Sequence, residues 1–153
     1  MQYLPPQTRR RSTRGFSLVE LLIVVVIIGT LTLMVVPRLE PLWASRSVSA
    51  ARSAFTGLYN RARMAAVQSR QVATVTVTGN VAVATITSAG GVTQRVGQAV
   101  VFDSLYGVQA VASPTSLQIQ SSGLVTVGLP FALVLTRSDA ADTINITGYG
   151  KLK

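Results

Sequence analysis

Residues 16–36 are 21 consecutive positions with a single charged side chain, that of Glu20. At about 1.5 Å per residue in a helix, such a run reaches across a hydrocarbon core of ~30 Å. A secretory signal peptide carries a shorter apolar region, roughly 7 to 15 residues, with a small-residue cleavage site behind it. Here the run is longer, and no Ala-x-Ala follows. Arg9, Arg10, Arg11 and Arg14 place four positive charges within six residues just ahead of it. A leader of that charge stays on the cytoplasmic side, so the rest of the chain is expected to face outward. The first expectation is therefore a single-pass membrane protein with its C-terminal part outside the cytoplasm.

Glu20 is the residue that a plain anchor does not explain. A carboxylate deep in a bilayer costs about 2.5 to 3.5 kcal/mol on insertion scales, and less toward the interface. A residue that costs so much is usually kept for a partner, and the nearest candidate is a positive group on a neighbouring copy of the same segment. Cleavage between Gly15 and Phe16 would create such a group, an α-amino terminus at the head of each apolar run. Glu20 would then be the fifth residue, one helical turn in, placed to meet the terminus of a staggered neighbour. A protonated Glu20 facing lipid is the neutral alternative.

The stretch Arg14-Gly15-Phe16-Ser17-Leu18-Val19-Glu20-Leu21-Leu22 resembles the class III signal of type IV pilins and type II secretion pseudopilins. Basic leader, Gly before the cut, Phe after it and Glu at the fifth position all agree. Pro37 also lies where pilins commonly carry a proline. The resemblance implies that a prepilin peptidase removes residues 1–15 and that Phe16 is N-methylated. It further implies that Glu20 pairs with an adjacent subunit's amino terminus during assembly. The expected partners are other pilin or pseudopilin subunits, the peptidase and an inner-membrane assembly platform. The expected place is the bacterial inner membrane, then a filament at the cell surface.

Beyond the span, Pro37 is expected to kink or locally break the helix, because proline removes a hydrogen bond and crowds the preceding turn. The bland alternative is that the helix ends there. Against it, Val48, Ala51, Phe55, Leu58, Tyr59, Ala62, Ala65 and Ala66 recur at three- and four-residue steps. Arg46, Arg52, Asn60 and Arg63 lie largely off that stripe. This spacing predicts an amphipathic helix over 37–70 with one apolar face packed on something. Phe55 and Met64 on it read as core or helix edge rather than as ligand sites. From Val72 the period changes to two. The stretch "VATVTVTGNVAVATIT" reads as a hairpin turning at Gly79-Asn80, although Asn-Gly is the commoner order. Short runs at 92–96, 98–102, 108–112, 117–120, 124–127, 131–136 and 143–147 read as further strands between turn clusters. The expected fold class is α+β. A leader (1–15) and a transmembrane or filament-core helix (16–36) come first. An amphipathic helix (37–70) then packs on an antiparallel β head (71–153).

A helix ending "RARMAAVQSRQVATVTV" before an almost wholly β head resembles the minor pilins and pseudopilins of the GspH/FimT type. Met64 or Ala65 stands where that family usually has an acid. The ending "INITGYGKLK" is similar to the family's last strand and its Gly-Arg-x-Arg tail, with Gly150, Lys151 and Lys153 in those places. The resemblance implies contact of Lys151 and Lys153 with a double-stranded DNA backbone. Lys offers phosphate a point charge but lacks the fork of Arg. Tyr149 beside them offers a ring on which a base could stack. The alternative is a frayed, solvated tail. From Arg46 onward nine basic residues stand against three acids, a balance of +6 that permits nucleic acid or anionic lipid as a partner.

There is no Cys and no His, which removes disulfides, thiol nucleophiles, the usual zinc sites and the commonest general base. Beyond Arg46 the acids are Asp103, Asp139 and Asp142 alone. Two carboxylates in "RSDAAD" are too few for calcium, and Asp favours turns anyway. No enzyme, metal or cofactor is expected. The reading is a minor subunit of a type IV pilus, at its tip or in its priming complex. A type II secretion pseudopilin and an uncleaved signal-anchored β domain are the alternatives.

Overall fold

The computed structural model describes residues 16–88 and 90–153. The leader 1–15, Gly15 included, lies outside the described residues. The chain divides into two compact units, Met1–Arg38 and Leu39–Lys153. Helix α1 (Leu18–Ser69) contributes to both.

In the first unit, the stretch Leu18–Val36 is long and apolar enough to cross a membrane, and none of it is buried. Its two threonines satisfy their own hydroxyls: Thr30 donates to the Val26 carbonyl and Thr32 to that of Ile28, each at 2.8 Å. That removes the cost of carrying unpaired donors into lipid. The helical backbone does not end at Pro37 but continues through it and Pro41.

In the second unit the amphipathic stripe is buried as the spacing predicts. Val48, Ala51, Phe55, Leu58, Tyr59, Ala62 and Ala66 are core residues, joined by Ala44 at the start of the stripe, while Ala65 is half-buried. They pack on two antiparallel sheets. The larger has the order β3 (Thr93–Arg95), β2 (Val81–Thr87), β1 (Val72–Thr78), β6 (Ser116–Ile119), β7 (Val125–Val127), with β4 (Val100–Val101) also beside β2. The smaller has the order β5 (Gln109–Ser113), β8 (Phe131–Arg137), β9 (Ala140–Ile146). Along β1 the residues Ala73, Val75 and Val77 point inward and the threonines between them are half-buried, the alternation expected of a strand with one face on a core. Small residues on the helix let it sit close to the sheets. Phe55 then stacks on Phe131 of β8, ring centroids 6.1 Å apart and planes nearly parallel.

The β1–β2 turn shows why Gly79-Asn80 serves in place of the commoner order. Both residues have positive φ, 53° and 65°, as the two-residue hairpin turn requires, and Asn tolerates that conformation. Asn80 is also used elsewhere. Its side chain accepts from the Ala110 amide and donates to Gln109 Oε1, both at 2.7 Å, tying the hairpin to β5.

One expected strand is shorter than the sequence suggests. Of the run 98–102, only Val100–Val101 pairs, and the chain turns into a short helix, α2 (Phe102–Tyr106), which periodicity does not reveal. The Phe102 amide donates to the Asn80 carbonyl at 2.8 Å, and Gly107 ends the helix in the left-handed region. The run expected at 143–147 instead spans Ala140–Ile146, because β8 and β9 are joined by a tight turn at Ser138-Asp139.

Candidate functional site

The residues singled out by sequence fall at the two ends of the chain. At the N-terminal end, Phe16 is 83 % exposed and precedes the helix, whose first turn contains Glu20. That position carries the partial positive charge of unpaired helical N–H groups, a favourable setting for a carboxylate. Ser17 and Glu20 also have the spacing of a capping box, a local signal written in the sequence.

At the C-terminal end the frayed-tail alternative fails. Residues 151–153 lie antiparallel to the end of β9. Asn145 and Lys153 exchange backbone hydrogen bonds at 3.0 and 2.9 Å, and the Thr147 amide donates to the Lys151 carbonyl at 3.0 Å. Leu152 bridges Ile146 and packs against the core. Lys151 and Lys153, two apart on this extended segment, therefore share its outward face and are exposed. Tyr149 is 83 % exposed beside them.

Tyr59, a residue that periodicity marks only as core, adds a further hold on the tail. Its buried hydroxyl donates to the Gly150 carbonyl at 3.2 Å. Burial pushes the phenol above its ordinary pKa, and the Arg63 guanidinium partly offsets that shift. Gly150 has φ +70°, and a Cβ there would stand 2.9 Å from Tyr59 Oη and 3.0 Å from the Gly123 carbonyl. It would also stand 3.4 Å from the Arg63 guanidinium carbon. Only glycine fits, so the pattern Gly-Lys-x-Lys has a structural reason for its first member. Arg63 adds a third cation near the tail, and it borders an open groove of about 640 Å³ lined also by Asn60, Met64, Val67 and Gln68. Nothing local in the sequence relates Arg63 to Gly150, since the two are 87 positions apart.

The two aspartates weighed for calcium are separated by their roles. Asp142 receives both oxygens' hydrogen bonds from Arg52 Nη1, at 2.8 and 2.7 Å, whereas Asp139 is an exposed turn residue. No group of three or more metal-ligating side chains occurs among the described residues.

Residues 10–36 match the family model described as the prokaryotic N-terminal methylation motif. No curated protein and no solved structure gives a significant match. A motif of this kind implies processing by a prepilin peptidase, assembly with other pilins and membrane anchoring through the helix that follows it. That motif leads into an apolar helix of membrane-spanning length with an α+β head behind it, an arrangement that supports a type IV pilin-like protein.

Proposed function

We propose that the protein is a minor pilin of a type IV pilus, a non-enzymatic subunit of the tip or priming complex that contacts double-stranded DNA through its C-terminal tail. In this reading the leader is cut between Gly15 and Phe16, and Phe16 is N-methylated. Glu20 pairs with the amino terminus of the adjacent subunit, and Pro37, which withholds one helical hydrogen bond, is the point of flexure in α1. Before assembly the chain resides in the inner membrane with its head outside the cytoplasm. The assembly platform then draws the apolar helix into the filament.

The observation that carries the DNA reading is the pinned tail. Lys151 and Lys153 are exposed on one face of a segment whose backbone is hydrogen-bonded to β9 and to Tyr59. Cations held in place lose less entropy on meeting a phosphate backbone than cations on a frayed tail. The test is binding of the detergent-solubilised chain to double-stranded DNA over a salt series, beside Lys151→Ala/Lys153→Ala. The reading expects affinity to fall with salt, and the double variant to reduce the log–log slope by about two. An unchanged slope would move the contact away from the tail. No binding at low salt would favour the pseudopilin of a secretion system instead.

A further inference from the structure

Between the exposed span and the buried stripe, α1 carries apolar surface that the head does not cover. Leu42 and Trp43 are 58 % and 59 % exposed, while their neighbour Ala44 is already core. Arg38, Glu40 and Arg46 around them are exposed as well. Leu105 of α2, 64 % exposed, belongs to the same end of the head, because Arg137 Nη1 donates to both Ser47 Oγ and the Tyr106 carbonyl.

We propose that Leu42 and Trp43, with Arg46 beside them, form a collar that docks in the headgroup layer of the outer bilayer leaflet before assembly. This rests on the membrane anchoring of the helix and goes beyond the assembly and DNA readings. The first support is position. The headgroup region adds roughly 5 to 8 Å to each side of the hydrocarbon core. With the core placed at Leu18–Val36, Trp43 is seven residues outside it, on the order of 10 Å by helical rise, which is past the headgroups. That placement also leaves Glu20 inside the hydrocarbon. Sliding the chain inward by three or four residues changes both. The core then runs from about Leu21 to Leu39, Glu20 reaches the inner headgroups and Trp43 enters the outer ones. One displacement relieves the carboxylate and seats the tryptophan.

The second support is chemistry. Tryptophan couples an apolar ring to one N–H donor and is the side chain most at home at headgroup level. Arg38, now just inside the core edge, has the reach to carry its charge out to the phosphates, and Arg46 faces them from the water side. Glu40 cancels one of these charges. Burial of Leu42 and Trp43 therefore carries the docking, and anionic lipid adds only modestly.

Trp43 is the single tryptophan of the chain, so its fluorescence reports this site alone. The full chain is reconstituted at low density in phosphatidylcholine vesicles containing phosphatidylglycerol, with nitroxide-labelled lipids as quenchers. The collar predicts blue-shifted emission, with headgroup-level nitroxide quenching Trp43 more strongly than nitroxide at the middle of the acyl chain. Flotation with the vesicles reads the anchoring separately. A chain that floats while Trp43 emits as in water, unquenched by either lipid, overturns the collar and leaves the anchor standing. Quenching that depends on protein density would assign the patch to a second copy and overturn the collar equally. A chain that does not float would take the anchoring and the collar down together.

Discussion

Residues Leu18–Val36 and the stripe from Ala44 to Ala66 belong to one helix, yet the first is wholly exposed and the second is the centre of a core. Composition explains the contrast. The first stretch is apolar around its whole circumference, so no single surface of its own chain could cover it. The second is apolar on one side only, with Arg46, Asn60 and Gln68 turned to water, and two sheets of the same chain cover that side. The head is complete by itself, whereas the span needs lipid or other subunits. On the proposed function a carboxylate in the span is a matter of assembly, whereas a defect in the stripe is a matter of folding.

Glu20→Ala is the sharpest way to break this division. The reading expects the variant to be inserted and processed but absent from sheared filaments, a loss close to complete, with head stability unchanged. Incorporation at the level of the parent chain would mean that Glu20 is no assembly register. The converse substitution is Phe55→Ala. It removes a fully buried ring stacked on Phe131 and should destabilise the head by about 3 to 5 kcal/mol in denaturant unfolding, with membrane insertion intact. A smaller effect is expected for Gly150→Ala. The left-handed backbone alone costs a side chain roughly 1 to 2 kcal/mol, and the crowding against Tyr59 Oη adds to it. Amide exchange of Lys153, protected by its bond to the Asn145 carbonyl, should rise in that variant, while exchange in β1 stays unchanged. Equal protection of Lys153 in both chains would show that Tyr59 and Gly150 do not hold the tail.

The parts legible from sequence were those written in a period or a turn. The stripe on α1 repeats at helical spacing, and β1 and β2 alternate around a turn whose residues both accept positive φ. The short helix α2 was hidden because five residues, Phe102–Tyr106, are too few for a period. Its start is set by the Asn80 carbonyl, 22 positions away. At the N-terminal end the candidate site was written in consecutive residues, as a signal read by a peptidase must be. At the C-terminal end the lysines were visible, but the reason they are held was not. Tyr59, Arg63 and Gly150 meet only after the helix has packed on the sheets, and no local pattern encodes that meeting.

The claim on which the rest depends is that this chain is processed as a prepilin, with Phe16 as its new first residue. Intact-mass and N-terminal peptide mass spectrometry of the protein from a membrane carrying a prepilin peptidase tests it directly. The account predicts a chain that begins at Phe16 with a methylated amino group. A chain that keeps Gly15 joined to Phe16 would contradict it and leave a signal-anchored β domain in its place.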